Sequence, residues 1–396
     1  MIQNILRFLP IGLRGKIEHR HGLLHILDNI AWLFFDKSLR IGVGLIVGVW
    51  IARYLGPEQF GIMSYALAFV GLFTYIATLG FNSGIVVRDL VQEPATAETT
   101  MGTAFVLQTL GGICAFAMAV LTIGYIRPND YLVKNAVAVL AMLMVLKATD
   151  IVKYWFESLV QSKFVVWTEN GVILISSAVK IGLILADAPL MAFIWILFLE
   201  GLLTAVCLLG VYAWRGGHIR KWRIRFNRAI FLLKDSWPLI LSGFAITIYM
   251  RIDQIMLGHM IGDRSVGIYN AAVKISEVWY FIPMAIVPSV FPAIIEAKKN
   301  NEATYYQRLQ KLYDTMVLLA LSAAIPMTFL SDWLVNLLFG TAYLQAGPLL
   351  TVHVWAGIFV FLGVASGRWY LIEGLQRFSF YRALFGAVVN IGLNMI

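Results

Sequence analysis

Many ionisable side chains lie inside long apolar stretches of this chain, among them Asp36, Lys37 and Arg40; Lys147, Asp150, Lys153 and Glu157; Lys180; Glu200; Arg251 and Asp253; Lys274 and Glu277; and Arg368. A charge at the centre of a bilayer costs about 2.5–3.5 kcal/mol on insertion scales, so eight such groups facing lipid would cost roughly 20 kcal/mol or more. That exceeds the stability of a typical fold. They are therefore expected to face a bundle interior with a hydrated cavity. Two chemistries suit such a place. Arg40, Lys147, Lys180, Lys274 and Arg368 are candidates for holding an anionic ligand, and Asp36, Asp150, Glu200, Asp253 and Glu277 for a coupling cation or proton.

Helical spacing groups several of them. Lys147, Asp150, Tyr154 and Glu157 fall at i, i+3, i+7 and i+10, along one helix face, and Asn270, Lys274 and Glu277 do the same. Asp36 and Arg40 also share a face. Arg251 and Asp253 are about 200° apart on a helix, so one of them is expected to point elsewhere. The competing reading of each opposite-charge pair is an internal salt bridge that only fixes packing. Lys180 and Arg368 have no partner within their own helices, which favours them as anion holders, although Glu200 is able to neutralise Lys180 across helices.

Other chemistries find little support. His19, His21 and His25 have loose metal-like spacing but no Cys or carboxylate neighbours, so no metal site is expected. No Walker A, H-E-x-x-H or G-x-S-x-G element occurs, which argues against an ATPase or hydrolase and for a non-enzyme without cofactor. Cys114 and Cys207 lie in apolar segments as small buried hydrophobes, with no disulfide framework implied.

The elements that must position these residues are membrane helices. The chain is 60% hydrophobic and 13% charged, with a mean hydropathy of +0.79, more apolar than a soluble core requires. Residues 59–87, 99–126 and 278–295 contain no Asp, Glu, Lys or Arg, and each is long enough to cross a bilayer as a helix. Apolar runs near 30–51, 60–87, 102–126, 135–160, 165–186 and 190–214 make a first set of six, and runs near 236–260, 266–292, 312–330, 348–372 and 380–396 a second set of five. The expected fold is all-α, a polytopic bundle of about 11 spans in two pseudo-symmetric lobes. Residues 1–25 read as a cytoplasmic amphipathic segment that is retained, 26–214 as one lobe, 215–235 as a basic cytoplasmic linker and 236–396 as the other lobe.

With the amino terminus inside, the inner connections hold 19 basic residues and the outer ones four, Arg53, Arg127, Lys134 and Arg264, as the positive-inside rule demands. The densest basic run, Arg215 to Lys234, lies between the halves; beside membrane spans it is not read as a nucleic-acid site. Pro283, Pro288 and Pro292 are expected to kink segment eight, as a hinge or as a static packing device.

A weak internal repeat supports the two halves. Leu55-Gly56-Pro57-Glu58-Gln59-Phe60-Gly61-Ile62-Met63-Ser64-Tyr65-Ala66 recurs 206 residues later as Ile261-Gly262-Asp263-Arg264-Ser265-Val266-Gly267-Ile268-Tyr269-Asn270-Ala271-Ala272. Duplicated halves are a mark of transporters. Six spans separate the copies, so both are expected to face outward, about an axis along the membrane normal. The second set has no counterpart to segment six; a chain cut before a twelfth helix is one expectation, a natural eleven-span form the other.

These residues carry a family resemblance. Asp36-Lys37 followed by Ala52-Arg53-Tyr54-Leu55-Gly56-Pro57-Glu58-Gln59-Phe60-Gly61 resembles the opening of bacterial polysaccharide flippases, in the oligosaccharide-exporting branch of the multidrug/oligosaccharidyl-lipid/polysaccharide superfamily. Gly80-Phe81-Asn82 with Arg88-Asp89, Trp155-Phe156, and Asp253-Gln254-Ile255-Met256-Leu257-Gly258 with Val266-Gly267-Ile268-Tyr269 are similar to its later signatures. The resemblance implies a two-lobe bundle, usually of twelve helices, in the bacterial inner membrane. It would move an undecaprenyl-diphosphate-linked oligosaccharide for O-antigen or another surface polysaccharide by alternating access, using a cationic cavity and an ion gradient. Membrane lipids and the polymerase and chain-length machinery are the implied partners. A drug or metabolite exporter of the same superfamily, a membrane-embedded polymerase or ligase, and an inactive scaffold are the alternatives.

Overall fold

The computed structural model describes residues 21–81, 84–373 and 375–395, and among them every regular element is helical. The residues of the expected amphipathic segment up to Arg20, with His19, lie outside the described residues, as does Asn82. The helices are α1 (His21–Leu72), α2 (Thr74–Thr78), α3 (Ile85–Gln92), α4 (Ala97–Ile126), α5 (Tyr131–Ala141), α6 (Leu143–Leu146), α7 (Ile151–Ser158), α8 (Lys163–Leu185) and α9 (Leu190–Trp214). They continue as α10 (Phe226–Met260), α11 (Asp263–Glu277), α12 (Phe281–Asn300), α13 (Glu302–Phe339), α14 (Ala346–His353), α15 (Ala356–Ile372) and α16 (Gln376–Asn394). Nine helical stretches among the described residues are long and apolar enough to cross a membrane.

The difference from eleven has a physical source. The first stretch, Lys37–Leu72, runs most of the first expected span and the first half of the second together across Gly56; the rest of the second lies in α2 and the start of α3. At 1.5 Å per residue, the 52 residues of α1 would measure about 78 Å, more than twice a hydrocarbon core. Gly56 breaks the helix at φ 70° and ψ 171°, in a region that glycine enters without a Cβ penalty, and Pro57 follows. The eleventh expected span corresponds to α16, which falls outside the nine.

Segment four is not one regular helix: α5 and α6 lead into a 3-10 turn at Lys147–Asp150 and then α7. Around Pro283 and Pro288, the irregularity is a 3-10 turn at Val278–Tyr280 just before α12, which then runs helical to Asn300. Cys114 is exposed on α4 rather than buried, and Cys207 is half-buried on α9.

Contacts divide the chain into two compact units. Among the described residues, the first comprises those up to Val47 together with Phe69–Phe244, and the second comprises Gly48–Ala68 and those from Ala245 on. The core of the first packs Phe81, Ile85, Leu90 and Met101 against Ile151, Phe156, Leu208 and Tyr212. Asp89, 4% exposed, ties α3 to the start of α10, meeting Arg88 at 2.8 Å and Arg228 at 3.0 Å. The expected linker holds nearly three turns of a helix at its end, because α10 begins at Phe226.

In the second unit, Val287, Ile294, Tyr305, Met316 and Phe361 form the core. Here the two copies of the repeat meet. A Cβ on Gly61 would stand 1.7 Å from the carbonyl oxygen of Asp263, and a Cβ on Gly267 would stand 1.9 Å from that of Pro57. Pro57 and Asp263 occupy equivalent places in the repeat, so the contact is reciprocal, and Gly56 and Gly262 share left-handed φ values of 70° and 114°. Tyr343 donates to Ala52 O at 2.7 Å and stacks edge-on to Phe60, holding the first copy from its other side.

At the far end of this unit, Glu373 accepts from Tyr305 Oη at 2.6 Å and pairs with Lys298 at 2.8 Å, which holds its carboxyl below the usual 4.5.

Gly267→Ala is expected to destabilise the protein by about 1–3 kcal/mol, whereas Gly71→Ala, where a Cβ meets nothing within 4 Å, is expected to be neutral; thermal unfolding in detergent compares them. A carboxyl lowered in the folded state stabilises above its unfolded value and loses that contribution as pH falls. A small loss of thermal stability is thus expected below about pH 4.5 that Lys298→Met reduces in unfolding scans across pH.

Candidate functional site

In the first unit, the ionisable residues of the spans form a connected network. The 3-10 turn brings Lys147 and Asp150 to 3.6 Å, and Lys153 one turn on reaches Asp150 at 2.7 Å. Lys153 also meets Glu169 of α8 at 2.5 Å, and Glu169 accepts from Arg40 of α1. Three cations thus share two carboxylates. Further along α8, Lys180 pairs with Glu200 of α9 at 2.6 Å, and Ser176 donates to the same carboxylate at 2.5 Å. Lys180, expected as an anion holder for want of a partner, is neutralised across helices.

Sequence reasoning passed over Glu169, the hub of this network. Its signal was present: Glu169, Ser176 and Lys180 fall at i, i+7 and i+11, one polar stripe on an otherwise apolar helix. The stripe lets one helix satisfy charges from α1, α7 and α9. Next to it, Asn170 is 7% exposed and both of its amide atoms lack a hydrogen-bond partner among the described residues. The side chain of Asp36 lies outside the described residues.

In the second unit, Asp253 accepts from Tyr269 Oη at 2.6 Å, while its Oδ1 is buried without a partner among the described residues. Arg251 approaches Glu277 at 3.9 Å. Both residues meet side chains of α11 although they are two apart. Asn270 donates to Gln254 at 3.1 Å, Lys274 lies 4.9 Å from the centroid of the Phe60 ring, and His353 Nδ1 meets Ser276 Oγ at 2.6 Å. The face shared by Asn270, Lys274 and Glu277 therefore serves three different neighbours. Arg368 stands 5.3 Å from the Phe291 ring centroid, with no carboxylate within salt-bridge distance among the described residues.

The profile of the family described as "Polysaccharide biosynthesis protein" matches residues 26–298. The chain belongs to this family. A second profile, MatE, matches residues 238–396. The chain is 25% identical to the succinoglycan biosynthesis transport protein ExoT of Rhizobium meliloti, over 82% of this chain and 65% of that protein. It is 21% identical to the teichuronic acid biosynthesis protein TuaB of Bacillus subtilis, over 77% and 62%. The chain thus spans under two thirds of the length of these relatives. Among solved structures, an inward-facing multidrug resistance MATE family transporter of the MOP superfamily shares the fold, with a TM-score of 0.66 over 89% of this chain and 84% of that one at 12% identity. With its apolar helices, the family member is a multi-pass membrane protein.

Glu169→Gln should leave Arg40 and Lys153 without their shared carboxylate and destabilise the protein by on the order of 2 kcal/mol. Adding Lys153→Met should recover part of that loss in the same unfolding assay, which separates an unpaired charge from lost packing.

Proposed function

We propose that this family member is a flippase for lipid-linked oligosaccharide repeat units, carrying an undecaprenyl-diphosphate-linked cargo across the bacterial inner membrane for surface polysaccharide. The amino terminus is cytoplasmic in this reading, transport is by alternating access, and an ion gradient drives it. The two lobes of the sequence supply the moving parts. Relatives named for succinoglycan transport and teichuronic acid biosynthesis support the cargo class.

Arg368 carries the assignment of an anion site. Of the five cationic candidates, Arg40, Lys147 and Lys180 spend their charge on carboxylates and Lys274 packs on Phe60. Arg368 has an aromatic ring below it and no carboxylate within salt-bridge distance among the described residues, which leaves its charge available to a diphosphate. For coupling, Asp253 is the carboxylate of choice, since one oxygen is fixed by Tyr269 and the other is unpartnered among the described residues. The polymerase and chain-length machinery would take the product. The MatE match favours a second reading, a drug or metabolite exporter, for which a cationic cargo site would be expected.

Deleting the gene in its own host and restoring it on a plasmid tests the reading. The native gene should restore surface polymer, and Arg368→Gln should cut display tenfold or more at unchanged membrane level, with Arg368→Lys retaining part of it. Unchanged display by Arg368→Gln would remove the anion-site assignment. Restored drug resistance without polymer display would select the exporter.

A further inference from the structure

Residues 215–225 join α9 to α10 and lie just outside two membrane spans, Leu190–Trp214 and Phe226–Met260. Arg220, Lys221, Arg223 and Arg225 are all exposed there, and no carboxylate comes within salt-bridge distance of them among the described residues. Exposed apolar side chains lie beside them, with Trp214 at 74% before the strap and Ile224 at 65% and Phe226 at 78% alternating with Arg223 and Arg225.

The backbone beneath is pinned. Arg223 N–H donates to the carbonyl of Glu98 at 3.2 Å, and Arg225 N–H donates to Thr103 Oγ1 at 3.1 Å. Gly102 of α4 admits this close approach, since a Cβ there would stand 2.7 Å from Arg223 O. Trp222 turns inward, donating from Nε1 to Tyr212 Oη at 3.0 Å and packing on Phe105. With Trp222 and the main chain facing the helices, the four basic side chains are left on the outer surface of an ordered strap at the membrane boundary.

We propose that this strap is a binding site for anionic phospholipid headgroups. Each basic residue near a negative membrane surface adds attraction, and exposed apolar neighbours enter the headgroup layer beside it. An ordered backbone presents the charges together, so less ordering is needed on binding than for a loose polybasic tail. A role in setting insertion topology uses the same charges but ends once the protein is inserted; a lipid site persists in the purified protein.

The test uses the whole chain purified in mild detergent. Thermal unfolding is followed while phosphatidylglycerol, phosphatidylcholine or inorganic phosphate is added, and retained lipids are weighed by native mass spectrometry. Phosphatidylglycerol should raise the midpoint and be retained, an effect that about 0.5 M salt should erase. The variant R220Q/K221Q/R223Q/R225Q should need about tenfold or more phosphatidylglycerol for the same shift. R220Q/K221Q should lie between, and serves alone if the fourfold variant does not fold. Equal responses of native protein and variants, or an equal response to phosphatidylcholine, would overturn the proposal. An equal response to inorganic phosphate would overturn it in favour of a simple anion site.

Discussion

The second unit is organised around a point where two helix backbones touch. Side chains cannot intervene between Gly61 and the carbonyl of Asp263, or between Gly267 and that of Pro57. In a membrane, lipid is as apolar as a leucine side chain, so helices gain little from hydrophobic burial and associate where small residues permit close packing. The repeat supplies such residues in register, one from each copy. Its other glycines, Gly56 and Gly262, set the angle at which each copy leaves the preceding helix. Tyr343 then closes on Ala52 and Phe60 from the side. A short motif met twice is therefore a single piece of architecture, and its symmetry is that of a local two-fold contact.

Charge in the spans is handled by a second rule. Lys180 with Glu200, and Lys153 and Arg40 with Glu169, show ionisable groups neutralised by neighbours on other helices. Such pairs relieve the desolvation of each partner more than they add stability, so they are weak evidence of function. The groups that escape pairing carry more information. Among the described residues, Arg368 over Phe291, and Asp253 with one oxygen held by Tyr269 and the other without a partner, are of this kind.

Much of the fold was legible in the sequence because hydropathy is a local property that each segment displays by itself. The helices fall where the apolar runs lie, and the repeat gave the glycines at the crossing. Pairings between helices are not local, and there legibility failed. Lys180 had no partner in its own helix and Glu200 was named as its alternative across helices, but nothing local decided between the two, and Glu169 was overlooked although its own stripe marked it. Cys114 was expected to be buried because an apolar neighbourhood implies burial in water-soluble proteins, whereas a membrane helix turns its apolar surface outward. Prolines gave a similar lesson: Pro283 sits in the first turn of α12, where a missing donor costs little, so the irregularity precedes it.

Gly56 has a further consequence, for bookkeeping across the whole chain. A helix of 52 residues scored as one crossing shifts the parity of every loop after it, exchanging inside for outside from α3 to the carboxyl end. The balance of arginine and lysine between the two sides would then be read backwards. One backbone angle at one glycine thus decides the polarity assigned to the entire molecule.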